Sequence, residues 1–250
     1  MSTAPNNDAL KRRLDRYFWA NNTGEMEFLR QVLKDAFFGF DRLAVVGGLV
    51  RDFAYGGRSS FRSDVDLVID APKERIAEIA SSLDATPNRF GGFGCKQGPW
   101  KIDFWALETT WARKHVTLNS LEDIVSSTFF DWDAVAYDLK EKKLICSEDY
   151  LSRIRSRTLD INLLPNPSPL GNLVRAVRRL MIWRIEAGPR LQNFIERHLD
   201  EDALRHIQIK ELELYSVAVS TSWATSADAK DALFGGNRDK AKAQFELRLD

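Results

Sequence analysis

The sequence predicts an α+β fold, in which helices accompany a small mixed or antiparallel sheet and a helical domain follows. Short apolar runs that end at glycine or polar residues indicate buried strands at 43–46, 64–69 and 100–107. Segments with apolar residues at helical spacing precede and separate these runs. After a proline-rich stretch at 164–170, only helical patterns follow.

The first part of the chain alternates helical segments with strands. The run 43–46 is too short for a helix and ends at Gly47-Gly48, so we interpret it as a buried strand. Helices are expected at 8–19, 25–38, 49–55 and 72–83, with a short one at 121–126. A further helix or turn is expected at 132–138, and a strand at 143–146.

The proline-rich stretch at 164–170 is the best candidate for a linker, because it holds three prolines in seven residues. It divides the chain into a head domain at 1–163, which includes the N-terminal helices, and a helical domain at 170–250. The helices of the second domain are expected at 172–186, 190–199, 201–219 and 226–233.

Composition limits the classes of partner. Lysine plus arginine and aspartate plus glutamate both number 36, so the net charge is zero, which lowers the expectation of a large nucleic-acid footprint. A local basic face for RNA remains compatible with that total. The N-terminal residues lack the apolar segment of a signal peptide, and no apolar run approaches about 18 residues. We therefore expect a cytoplasmic protein that does not enter a membrane; the oligomeric state is left open.

Two aspartates mark the clearest candidate for a chemical site. Asp64 and Asp66 are two residues apart on a predicted strand, so both side chains project to the same side of the sheet. Adjacent carboxylates repel each other unless a cation lies between them, and Mg²⁺ prefers such oxygen ligands. The alternative is a solvated strand end or turn.

A glycine pair precedes this strand by 17 residues. Gly47 and Gly48 join a predicted strand to a predicted helix, where backbone N–H groups and the helix N-terminus favour an anion. Arg51, one turn into the helix, can offer a fork of donors to a phosphate. The alternative is a simple strand-to-helix turn, with Arg51 and Asp52 as surface charges.

Asp103 is a third candidate carboxylate. It lies among apolar and aromatic residues of a predicted strand, where an aspartate needs a partner. A site with two metal ions would supply that partner. The alternative is an ion pair with Lys101 or with an arginine.

These motifs resemble a known family. Gly47-Gly48-x-x-Arg51-Asp52 followed by Ser63-Asp64-Val65-Asp66 is similar to the head domain of class II tRNA CCA-adding enzymes and bacterial poly(A) polymerases, in the polymerase-β nucleotidyltransferase superfamily. Three further segments agree in order and spacing, so that the resemblance covers about residues 40–187: Lys101–Phe104, Phe129–Asp138 and Leu173–Arg178.

The resemblance implies a role for each candidate residue. Catalytic carboxylates that bind Mg²⁺ or Mn²⁺ would be Asp64, Asp66 and Asp103. Residues that bind the NTP would be Gly47, Gly48, Arg51, Asp52, Arg175 and Arg178. For the last two arginines, which are three residues apart on one helix face, the alternative is a solvated or salt-bridged surface.

Three departures from the family pattern bear on specificity. Ser127-Thr128-Phe129 replaces the Arg-Arg-Asp that helps to bind the nucleotide and its sugar. Ser168–Asn172 aligns with the templating motif Glu-Asp-x-x-Arg and keeps neither its Asp nor its Arg. Most of the family's long C-terminal tRNA-holding body has no counterpart in the 250 residues. We therefore expect a divergent member for which CCA addition itself is not the reaction.

The sequence thus predicts a nucleotidyltransferase that moves a nucleotide from an NTP to an acceptor hydroxyl. The favoured acceptor is an RNA 3′ end, of a tRNA or another RNA. Transfer to a small molecule or a protein is the alternative that fits the neutral charge. A non-catalytic, nucleotide-binding regulatory module is the other alternative, favoured by the missing Arg-Arg-Asp.

Overall fold

The computed structural model describes residues 3–57, 64–215 and 218–235. Ser63 of the predicted motif lies outside the described residues. The chain divides into two compact units, one formed by residues 1–156 and 162–165 and the other by 157–161 and 166–250. The two units interleave around 157–165, so the predicted domain limits, 1–163 and 170–250, stay a prediction.

The first unit is built on a sheet that has seven strands within the described residues. These are β1 (Leu43–Val46), β2 (Val65–Ile69), β3 (Thr86–Pro87), β4 (Phe93–Gln97), β5 (Trp100–Ala106), β6 (Val135–Asp138) and β7 (Lys143–Cys146). Their spatial order is β3-β4-β5-β2-β1-β6-β7. The pair β2–β5 is parallel, and the other neighbours are antiparallel. The predicted mixed sheet of an α+β fold is confirmed.

Helices of the first unit are α1 (Asn7–Trp19), α2 (Gly24–Val32), α3 (Gly48–Tyr55), α4 (Lys73–Ser82) and α5 (Tyr150–Arg155). The predicted helix at 25–38 ends as a π-helical segment, Leu33–Phe37. Aromatic contacts hold α1 and the π-helical segment to one face of the sheet. The ring of Phe37 lies 5.1 Å from that of Phe104, and the ring of Phe18 stacks on Tyr137 at 5.8 Å.

The opposite face of the sheet carries a buried apolar cluster. Val68 of β2 packs there with residues of β1, β6 and β7 and with the 3-10 segment Leu121–Ser127. That segment is the predicted short helix at 121–126, and a capping box formed by Ser120 and Asp123 starts it. Asp66 is two residues from Val68 on the same strand, so its carboxylate projects from the same face at the end of this cluster.

One segment of the first unit was predicted only in part, and three of its elements were not predicted. The segment 132–138 was predicted as a helix or turn, but only its start is a 3-10 turn, and Val135–Asp138 is a buried strand paired with β1 and β7. The strands β3 and β4 and helix α5 were not predicted. Pairing with β5 stabilises the glycine-containing β4, and such a partner is not visible in a local pattern.

The second unit contains α6 (Pro169–Trp183), α7 (Pro189–His198), α8 (Glu201–Leu214) and α9 (Ser226–Phe234). Two-residue strands β8 (Thr158–Leu159) and β9 (Glu186–Ala187) pair in parallel. The predicted helix at 172–186 ends three residues early, because Arg184 is left-handed and β9 follows. The predicted helix at 201–219 ends at Leu214, where Tyr215 becomes extended, and part of the remaining range lies outside the described residues.

Within the described part of the chain, every helix is too short or too polar to span a bilayer. Cys95 and Cys146 are both free thiols, and burial raises the pKa of each above its usual value.

Candidate active site

The sheet brings the predicted carboxylates of β2 and β5 to neighbouring positions. Asp66 and Asp103 are direct partners in the parallel register of these strands, and Asp64 immediately precedes β2. Burial, followed by the charges of Asp103 and Asp64, raises the pKa of Asp66 to about 7. Burial also raises the pKa of Asp103, against the opposing influence of Lys101. The three negative charges are therefore close enough to destabilise one another.

Lys101 supplies a positive charge to this group. Its ammonium donates a hydrogen bond to Oδ2 of Asp64 and lies 3.7 Å from Oδ2 of Asp103. The hydrogen bond to Asp64 raises the pKa of Lys101. The ion pair between Lys101 and Asp103, expected as an alternative, is thus present, but Asp64 is the closer partner.

Carboxylates from two adjacent strands are suitable ligands for a hard divalent cation. The raised pKa of Asp66 is the observation that indicates this, because a buried carboxylate beside two others is costly unless a cation compensates it. Within the ranges that the structure describes, no three His, Cys, Asp or Glu side chains are already gathered closely enough to hold a metal ion. The carboxylates have the right chemistry for such a cation but are not gathered around one point, and metal binding by Asp64, Asp66 and Asp103 stays a prediction.

The glycine pair forms the turn between β1 and α3. Gly47 has φ 64° and ψ −118°, a conformation that only glycine adopts without strain, and its N–H donates to the carbonyl of Val135 at 2.9 Å. Gly48 is the first residue of α3, where the leading N–H groups of a helix have no partner within it. The conformation of Gly47 thus explains the turn, and the anion-binding groups are those at the start of α3.

Arg51 and Asp52 are buried, so the surface-charge alternative was wrong. The guanidinium of Arg51 donates to Oδ1 of Asp52 at 2.9 and 2.7 Å and to Oδ1 of Asp133. Its side chain is only 7% exposed. Burial lowers the pKa of Arg51, but Asp133 and Asp52 raise it by more, so it stays charged. This guanidinium holds α3 to the turn before β6, and its predicted contact with a phosphate stays a prediction.

Asp133 is a site residue that the sequence analysis did not select. Besides accepting from Arg51, its charge contributes to the raised pKa of Asp66. Asp133 lies in Phe129–Asp138, one of the segments that carry the resemblance, and its place in that segment was the available signal.

Arg175 and Arg178 lie on α6, in the helical unit. Arg178 pairs with the buried Glu211 at 2.6 Å and lies over the ring of Tyr215 at 3.7 Å. Arg175 is exposed and donates to the side-chain oxygen of Asn172 at 2.9 Å. The salt-bridged alternative is therefore correct for Arg178, and nucleotide binding by either arginine stays a prediction.

The segment that replaces the family's Arg-Arg-Asp is turned inward. The hydroxyl of Ser127 donates to the carbonyl of Ile124 at 2.6 Å, and that of Thr128 donates to the carbonyl of Phe130 at 3.0 Å. Phe129 is buried. This segment therefore offers packing and backbone contacts in place of the cationic groups of the family pattern.

The fold of this chain is similar to those of solved structures. A CCA-adding enzyme in complex with CTP matches with a TM-score of 0.56 at 18% identity, over 88% of this chain and 54% of that one. The Thermotoga maritima CCA-adding enzyme complexed with tRNA_CCA matches with a TM-score of 0.56 at 15% identity, over 93% of this chain and 56% of that one. The chain thus has the fold of CCA-adding enzymes and spans about half their length. This confirms the predicted resemblance.

No model of a protein family matches the sequence, and no curated protein does so either.

Proposed function

We propose that the protein is a metal-dependent nucleotidyltransferase, which transfers a nucleotide from an NTP to an acceptor hydroxyl. The observation that carries this proposal is the placement of Asp66 beside Asp103 on two parallel strands, with Asp64 next to them. A nucleotide-binding module without catalysis has little use for carboxylates that raise one another's pKa. A cation-dependent enzyme requires them.

The carboxylates Asp64, Asp66 and Asp103 would hold Mg²⁺ or Mn²⁺, which neutralises phosphate charge and makes the acceptor hydroxyl more acidic. The start of α3 would face the triphosphate, because unpaired N–H groups and the helix dipole favour an anion there. Gly47 gives the turn that aims this helix end. Arg51 and Asp133 hold α3 and the turn before β6 together, which fixes the position of both relative to Asp66.

The favoured acceptor is an RNA 3′ end, such as that of a tRNA. Support comes from the shared fold, since a protein of that fold was solved with tRNA. CCA addition itself is not the proposed reaction. The residues that align with the templating motif include Ser168 and Asn172, and Asn172 is buried and accepts a hydrogen bond from Arg175. The residues at these positions thus supply neither the Asp nor the Arg of the templating motif.

Transfer to a small molecule or a protein is the second candidate, and the net charge of zero favours it. RNA binding draws affinity from phosphate contacts, so it weakens steeply with salt. A salt-independent reaction on a non-RNA acceptor would support this candidate.

The test is transfer of label from each of four α-labelled NTPs, with Mg²⁺ or Mn²⁺. Cellular RNA, a small-molecule extract and a protein extract serve as separate acceptors. Asp66→Asn removes one carboxylate charge from the site, and Asp70→Asn is the matched control, because Asp70 is exposed just after the other end of β2. We expect label on RNA with the wild type and with Asp70→Asn, and none with Asp66→Asn. Full activity of Asp66→Asn would refute the site, and no transfer despite NTP binding would favour a regulatory module.

A further inference from the structure

Lys101 lies where the three carboxylates need a cation. Its ammonium contacts Asp64, stands 3.7 Å from Asp103, and acts electrostatically on Asp66. Lys101 and Asp103 are two residues apart on β5, so they project from the same face of the sheet. One lysine therefore reaches all three members of the predicted metal site.

The charges at this place do not balance with the lysine alone. When all three carboxylates are ionised, one ammonium leaves two negative charges uncompensated, so Lys101 compensates the site only in part. The lysine side chain is 61% exposed, and its long flexible stem allows the ammonium to move into solvent. A divalent cation brings more charge and binds carboxylate oxygens directly. The lysine and the metal thus compete for the same oxygen atoms of Asp64.

We propose that Lys101 is a built-in counter-ion of the active site, which occupies Asp64 in the absence of metal and lowers the affinity of the site for divalent cations. The inference rests on the proposed function, because it takes the three aspartates as the metal ligands. Lys101 stabilises the metal-free protein by separating like charges. It must leave Asp64 when the metal binds, and this displacement is the source of the lowered affinity.

The variant Lys101→Met keeps the apolar stem and removes the charge. We expect it to bind Mn²⁺ about tenfold more tightly than the wild type, because it removes a positive charge roughly 4 Å from the ligands in a well-solvated place. Lys101→Gln should behave in the same way, and Lys101→Arg, which keeps the charge, should resemble the wild type. In EDTA, Lys101→Met should unfold at a lower temperature than the wild type, and Mn²⁺ should stabilise it more.

Lys96→Met is the matched control. Lys96 lies directly opposite Lys101 on β4 and is exposed, and it makes no ion pair with a carboxylate among the residues that the structure describes. Lys96→Met therefore removes one positive charge from the adjacent strand and leaves the contact between Lys101 and Asp64 in place. General attraction of cations would change equally in both variants, whereas displacement from Asp64 changes only with Lys101→Met.

The measurement is calorimetric titration of Mn²⁺ into the full chain without nucleotide, with Asp66→Asn as a second reference. Tighter binding by Lys101→Met than by Lys96→Met supports the inference. Equal or weaker binding by Lys101→Met overturns it and leaves the proposed function standing, provided that the wild type binds Mn²⁺ and Asp66→Asn loses it. If neither the wild type nor Lys101→Met binds Mn²⁺, the metal site and the inference both fail.

Discussion

Gly94 tests whether the position of the Asp103 carboxylate matters. Gly94 is the direct partner of Asp103 in the antiparallel pair β4–β5. A Cβ atom placed on Gly94 would lie 2.5 Å from Oδ1 of Asp103 and 3.7 Å from its Cγ. A separation of 2.5 Å is well below van der Waals contact, so Gly94→Ala forces the carboxylate to turn away. The missing side chain of Gly94 is thus what leaves room for Asp103 beside Asp66.

The expected cost in stability is small, and the expected cost in activity is large. Turning the Asp103 side chain away from its preferred rotamer costs about 1 kcal/mol. A displacement of about 1 Å in a catalytic constellation lowers the rate by about a hundredfold. We expect Gly94→Ala to reduce kcat for nucleotide transfer by about that factor, while the unfolding transition in urea shifts only slightly.

Gly24→Ala is the matched control, because nothing lies within 4 Å of a Cβ on Gly24 at the start of α2. It should keep wild-type activity. Wild-type kcat in Gly94→Ala would refute the reasoning, since it would mean that Asp103 functions from a different position or has no role in transfer. A collapse of stability in Gly94→Ala would also contradict it, because the structure predicts that a short side chain yields without disturbing the sheet.

Three further predictions concern stability. Because the pKa of Asp66 is raised to about 7, the metal-free wild type should lose stability as pH rises from about 4 to 7, by on the order of 2–4 kcal/mol; urea unfolding at several pH values should show a flatter profile for Asp66→Asn, and identical profiles would contradict the raised pKa. Arg51→Met should destabilise the protein by about 3–5 kcal/mol, because it removes the guanidinium that bonds the buried Asp52 and the partly buried Asp133; a melting temperature equal to that of the wild type would show that these pairs are not structural. Arg178→Ala should cost about 3 kcal/mol and the exposed Arg175→Ala less than about 0.5 kcal/mol in the same urea assay; equal losses would be inconsistent with the buried pair on Arg178.

The sequence predicted the strands of the site well because their signals are local. Leu43–Val46 and Val65–Ile69 are short apolar runs, and the spacing of Asp64 and Asp66 indicated one face of a strand. The pairing of Asp66 with Asp103 has no local signal, because it depends on a parallel contact between β2 and β5. Nothing in either segment alone sets that register, and the resemblance to a family was needed to connect them.

The cations of the site were the least predictable part. The sequence favoured Arg51 as a phosphate ligand because of its place near a helix start, and the resemblance to a family implied nucleotide binding for Arg178. In the structure, each of them is paired with a buried carboxylate, Arg51 within the first unit and Arg178 within the second. Arg51 also bonds Asp133, 82 residues further along the chain, and Glu211 is 33 residues from Arg178, so no local pattern reveals these partners.

Because both arginines are paired with carboxylates, they are less available to contact a triphosphate. Moving the guanidinium of Arg51 would break its hydrogen bonds to the buried Asp52, at a cost of several kcal/mol, so we expect Arg51 to remain where it is. Lys101 has no such constraint, since its partner Asp64 is itself exposed. In the proposed site, a metal ion that binds Asp64 would release the ammonium of Lys101. Lys101 is therefore the positive charge of the proposed site that is able to move, and Arg51 is the one that is held in place.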